Sequence, residues 1–161
     1  MEIISPAFRN GGMIPLEYTC EGASINPELQ FLDVPENTQS LVLLVEDPDA
    51  PTKIWAHWVV FNMPADCKGI PKNSEPDGIE GISSGGTLGY EGPCPPVGEH
   101  HYIFRLFALD NKPAIPEESD RRMLLNYIKG HVIEEATLVG TYERQKTKTV
   151  TVNSRNRNSE Q

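Results

Sequence analysis

Asp47 and Asp49 stand two residues apart in Asp47-Pro48-Asp49-Ala50-Pro51, and His57 follows in Trp55-Ala56-His57-Trp58. A carboxylate beside an imidazole fixes its tautomer or stabilises its protonated form, and such a histidine donates to an anion. The plainer reading of Asp-Pro-Asp-Ala-Pro is turn chemistry, in which Asp side chains accept local N–H bonds and proline fixes φ. His100 opens a second apolar run, with Tyr102 on the same face and His101 on the opposite one. Between these stretches lies Gly92-Pro93-Cys94-Pro95-Pro96, a rigid rim in which only non-proline residues offer N–H groups. Cys94 suits either a nucleophile with His57 or His100 as base, or a small buried residue in a stiff turn. Asp47, His57 and His100 are also metal-ligand types, but no His-x-His or His-x-x-x-His spacing accompanies them. No phosphate loop, dinucleotide-binding glycine fingerprint or Gly-x-Ser-x-Gly elbow is present, so no cofactor is expected.

Strands must position these groups. Residues 41–45 and 58–63 are rich in Val, Leu and aromatics, as strands with a buried face are. Residues 100–109 are apolar on both faces apart from Arg105, which predicts a central strand. Residues 1–10 predict an edge strand, and residues 28–34 alternate loosely. Residues 65–99 hold many glycines and prolines, with short strand pieces expected at 78–82 and 87–90. Residues 117–129 predict a helix with Ser119 as a candidate N-cap and an apolar stripe of Met123, Leu124, Tyr127 and Ile128. Residues 131–136 suit a short second helix and 137–142 a last strand. The basic, polar tail at 145–161 predicts a frayed or disordered end, with 147–152 as a candidate edge strand.

The 161 residues suit one domain over residues 1–144, large enough for its own core. Fourteen prolines and thirteen glycines indicate short elements and tight turns, hence a mostly β chain. The net charge is −9, and the basic excess at 145–161 makes the body more acidic still. Such a body repels nucleic-acid backbones and anionic membranes at long range, while a compact anion can still bind locally. Three cysteines, Cys20, Cys67 and Cys94, match no zinc motif, and their odd number weighs against a disulfide framework. No signal peptide or transmembrane segment is visible, so the expectation is a cytoplasmic chain with reduced thiols.

Several blocks in order resemble the phosphatidylethanolamine-binding protein family, in its bacterial and archaeal Raf-kinase-inhibitor-like branch. They are Ile14-Pro15 with Tyr18-Thr19-Cys20-Glu21-Gly22, Asp47-Pro48-Asp49-Ala50-Pro51, and Trp55 through Asn62. Gly89-Tyr90-Glu91-Gly92-Pro93-Cys94-Pro95-Pro96, His100-His101-Tyr102, Gly130-His131-Val132 and Gly140-Thr141-Tyr142 complete the series. The resemblance implies an antiparallel β-sandwich with one or two short peripheral helices. It implies a small anion pocket for phosphate-like groups, whether a phospholipid headgroup or a phosphorylated side chain. Its ligand-binding residues would be Asp47, His57, Cys94, Pro95, His100 and Tyr102, supported by Asp49, Pro51 and Trp55. The family suggests a cis bond at Ala50-Pro51, and its prokaryotic members include homodimers. Two departures stand out: only Val97-Gly98-Glu99 separates Pro96 from His100, which places Glu99 as an intruder on the rim, and a basic tail replaces the C-terminal helix of eukaryotic relatives.

The function these readings favour is a non-catalytic binding protein with a regulatory role in signalling. The alternatives are a protein-interaction module of the kinase- or protease-inhibitor kind, and a hydrolase using Cys94 or a His/Asp base.

Overall fold

The computed structural model describes residues 1–145. The tail from residue 146, with the expected fraying and the candidate strand at 147–152, lies outside the described residues.

Eight strands form two antiparallel sheets among the described residues. β1 (Glu2–Ile4), β2 (Leu29–Leu32) and β5 (Gly69–Ile70) make the smaller sheet in the order β1-β2-β5. β3 (Ser40–Asp47), β4 (Trp55–Pro64), β6 (Ile79–Glu80), β7 (His100–Leu109) and β8 (Val132–Tyr142) make the larger one. Its order, β6-β4-β3-β7-β8, puts β3 in the middle, and every residue of β3 is buried.

Side-chain alternation splits the larger sheet between two cores. Leu41, Leu43, Val45, Val60, Phe104 and Leu106 pack towards Ile3, Leu29, Phe31 and Ile70 of the smaller sheet. Val42, Leu44, Val59, Phe61, Phe107 and Leu109 pack on the other side against Ile115 and against Leu124 and Ile128 of α1 (Arg121–Ile128). This is the expected sandwich with a peripheral helix, and β7 is central as its two apolar faces predict.

Four details differ from the sequence expectations. α1 is shorter than predicted and is capped by Asp120, whose side chain accepts from the Met123 N–H; Ser119 instead donates to the Pro116 carbonyl. Met123 and Tyr127 stay exposed, so the buried stripe is only Leu124 and Ile128. Residues 132–136 are strand, not helix, because β7 supplies pairing partners for all of them except Ile133, which sits at a register shift. Of the two strand pieces sought in the long connection, only β6 forms; residues 87–90 contribute a single bridge, Ile82 to Leu88.

Candidate functional site

The site sits where β3, β4 and β7 end together. Asp47 closes β3, Trp55 opens β4 directly opposite it, and His100 opens β7. β3 therefore separates the two histidine-bearing strands. In the β3–β4 ladder Val45 faces Trp58 and Glu46 faces Ala56, which leaves His57 as the extra residue of a β-bulge. A bulge re-aims a side chain without ending the strand. Here it swings the His57 ring beside Tyr102 of β7, edge-on with ring centroids 5.2 Å apart.

The result is a cavity of about 300 Å3 lined by Asp47, His57, His100, Tyr102 and Cys94, with Pro51 and Trp55 in its wall. Ala50, Glu91 and Pro96 also line it. Pro95 is buried in the rim turn beside the lining, where Pro96 takes the expected place. Asp49 is not in the lining; its Oδ2 accepts from the backbone N–H and Nδ1 of His101, at 2.8 and 2.7 Å. Glu99 is exposed and also lies off the lining, so it does not intrude on the pocket. Ala50-Pro51 is trans, as is every peptide bond among the described residues.

Each imidazole is held by a different partner. The buried carboxylate of Asp47 accepts from His100 Nδ1 at 2.6 Å through Oδ2 and from the Asp49 N–H at 2.8 Å through Oδ1. His57 Nδ1 lies 2.7 Å from the Glu91 carbonyl oxygen. A carbonyl only accepts, so His57 carries its proton on Nδ1 and leaves Nε2 bare when neutral. The same logic applies to His100 against a carboxylate. Asp47 thus pairs with His100, and the partner that orients His57 is a backbone carbonyl. Burial pushes the His57 pKa below its ordinary value, opposed by the Glu91 carbonyl and by the charges of Glu91 and Asp47. Burial, then the nearby Asp47 charge, pushes the Tyr102 hydroxyl far above its ordinary value. The Tyr102 hydroxyl is buried with no hydrogen-bond partner among the described residues. A native buried polar group in that state asks for a ligand or an ordered water.

The rim differs most from expectation. Cys94 forms a disulfide with Cys20, and both residues are exposed. Cys94 is therefore neither a thiolate nucleophile nor a small buried filler, and Cys67 is the free cysteine. The odd count concealed a real pair with one cysteine left over. The bridge joins the rim to the segment after the 3-10 turn Leu16–Tyr18. Three hydrogen bonds run alongside it: Cys20 N–H to the Pro93 carbonyl, Gly92 N–H to Ser24 Oγ, and Tyr90 hydroxyl to the Tyr18 carbonyl. A Cβ on Gly92 would lie 2.5 Å from Ser24 Oγ and 2.9 Å from the Tyr18 carbonyl oxygen, so only glycine fits that crossing. Gly92's N–H is consequently spent, while that of Cys94 has no acceptor among the described residues.

The model of the phosphatidylethanolamine-binding protein family matches residues 4–143. The chain belongs to that family. A UPF0098 protein from Methanothermobacter thermautotrophicus is 45% identical over 150 residues, covering 89% of this chain and 99% of the relative. A Chlamydia pneumoniae UPF0098 protein is also 45% identical, over 151 residues with the same coverage. Among solved structures, a phosphatidylethanolamine-binding protein homologue from Chlamydia trachomatis has a TM-score of 0.86 at 38% identity, covering 89% of this chain and 97% of its own. Escherichia coli YbcL, described as a member of the mammalian family, has a TM-score of 0.83 at 30% identity, covering 89% and 98%. The match runs from the last residue of β1 through the end of β8.

Glu91 and the disulfide are the features that sequence reasoning missed. Both had a signal. Glu91 lies inside the Gly89–Pro96 block, and Cys20 and Cys94 each sit in a block that shares the pocket rim.

Proposed function

We propose that this protein binds a small phosphate-type anion, as a headgroup or a phosphorylated side chain, without catalysing its turnover. The observation that carries this reading is the pair of imidazoles whose Nδ1 atoms are already engaged. Each has only Nε2 left for a ligand. In their neutral forms both Nε2 atoms accept, and Asp47 and Glu91 bring negative charge to the lining. An anion enters such a pocket favourably only with a proton, carried by the ligand or taken up by a histidine. Protonation turns Nε2 into a charge-assisted donor. The Tyr102 hydroxyl and the Cys94 N–H supply further donors.

Affinity for phosphate and phosphoethanolamine is thus expected to fall as pH rises from 5.5 to 8. Titration of each into the wild type and His57→Ala, read by histidine NMR shifts, checks this. Saturable binding that vanishes in the variant supports the reading; no binding in either, or equal affinity across that range, overturns it. A phosphorylated side chain presented by a protein partner offers the same chemistry, and a regulatory role would follow from that. A pulldown that survives both His57→Ala and Asp47→Ala would place a partner's interface elsewhere. With Cys94 bridged, the cysteine hydrolase reading loses its nucleophile. No helix of the described residues is long and apolar enough to cross a membrane. The exposed bridge favours an oxidising setting over the reducing cytoplasm, which thiol trapping in intact cells would test.

A further inference from the structure

The connection between β3 and β4 walls two cavities. Pro51 and Trp55 face the pocket described above; Lys53 and Ile54 line a second cavity of about 350 Å3. Its other walls come from distant parts of the chain. Ser83 and Ser84 arrive from the connection after β6, and Arg121 and Arg122 from the first turn of α1.

We propose that this second cavity binds a tetrahedral oxyanion, either free phosphate or the phosphoryl group of a phosphomonoester. Three cationic residues line it in a chain with 23 Asp and Glu against 14 Lys and Arg. Cations placed together against that balance repel one another, and only one of the three, Arg121, is paired with a carboxylate. Lys53 and Arg122 form no ion pair among the described residues; Lys53 lies over the Trp55 ring, 5.7 Å from its centroid. Arg121 is held by Nε on the buried Glu46 at 2.6 Å, which fixes the guanidinium and leaves its outer edge for a second acceptor. The cavity has one acidic lining residue, Asp120, and its carboxylate caps α1 by accepting from the Met123 N–H at 3.0 Å.

The hydroxyls complete the cradle. Ser84 Oγ accepts from the Ala56 N–H at 2.8 Å and Ser83 Oγ from the Thr87 N–H at 3.0 Å. Neither hydroxyl proton is donated to a protein acceptor in the described residues, so both are available to an anion. The N–H groups of Arg121 and Arg122 have no intrahelical acceptor, as the first turn of any helix requires. A fixed arginine, two cations without an ion pair among the described residues and two hydroxyls around one cavity suit a multivalent oxygen acceptor better than a carboxylate.

The test uses the full chain, isotope-labelled, titrated with inorganic phosphate and separately with O-phosphoserine at constant ionic strength. Saturable shifts are expected at the Ser83, Ser84 and Arg122 amides. They should persist in His57→Ala, which separates this site from the pocket. In Lys53→Gln/Arg122→Gln the apparent affinity there should fall about tenfold or more, while the His57 and His100 shifts remain. The two single variants repeat the comparison should the pair fail to fold. Saturation by both probes assigns the phosphoryl group, and saturation by phosphate alone assigns the free ion. Absence of saturable shifts at these amides, an equal response to chloride, or unchanged affinity in the variants would overturn the proposal.

Discussion

At the scale of single residues, Tyr102 is the group whose surroundings are least self-sufficient. Its ring is fully buried in the inter-sheet core, yet its hydroxyl has no partner among the described residues. Removing an unpartnered hydroxyl costs the fold little, since no intramolecular bond is lost. Tyr102→Phe is therefore expected to stay within about 1 kcal/mol of wild-type stability in urea unfolding. Phosphate affinity at the pocket should weaken nonetheless. A loss of stability with unchanged affinity would mean that the hydroxyl serves the core and not a ligand. Asp47 behaves oppositely, because its carboxylate satisfies both the His100 Nδ1 proton and the Asp49 N–H inside the protein. The two carboxylates and two adjacent histidines were visible in the chain, but their pairing was not. Asp47 takes His100 and Asp49 takes His101, an arrangement set by the ends of β3 and β7 rather than by closeness in sequence.

At the scale of elements, the site depends on a bulge and a bridge. Without the extra residue at His57, strand alternation would carry its ring away from the face that Tyr102 occupies. The Cys20–Cys94 link fixes the rim turn against the segment that follows Tyr18. A double Cys20→Ser/Cys94→Ser variant is expected to lose about 2–4 kcal/mol of stability, and reductant should reproduce that loss in the wild type. Thermal melts with and without dithiothreitol check both expectations. The core strands were legible because their apolar runs are long. β8 was harder: residues 131–136 contain glutamates and alanine that suit a helix, and most of β8 is not buried. Tertiary pairing decided it. Glu135 lies opposite Phe107 and takes the Arg105 Nε at 2.7 Å, a contact that a helix there would forgo. The start of α1 was ambiguous because Ser119 and Asp120 are both good caps, and only the Pro116 carbonyl's claim on Ser119 separates them.

At the scale of the whole molecule, His57 ties stability to pH. Its folded pKa lies below the ordinary value near 6.5 that it recovers on unfolding. The unfolded chain then binds the extra proton first. His57 therefore costs no stability above that value; stability is lost as pH falls below it and levels off beneath the folded pKa. The slope from one group is at most about 1.4 kcal/mol per pH unit. Unfolding free energies of wild type and His57→Gln, compared between pH 7.5 and 5, should show a smaller decline in the variant. Bound phosphate should oppose the decline in the wild type, since it favours the protonated ring. Equal declines in the two proteins would remove His57 from the account.

The Cys20–Cys94 bridge has a topological consequence as well. It closes a covalent ring running from residue 20 to residue 94. Asp47, His57 and Glu91 ride on the ring, whereas His100 and Tyr102 lie on the open chain beyond it. The exposed stretch around Lys53 is part of the ring. A protease that cuts there opens the loop without parting the molecule: one mass under oxidising conditions, two pieces once the bridge is reduced. Such a nicked protein would keep both halves of its pocket tethered, and whether it still held a ligand would depend on the redox state of a bond that touches neither histidine.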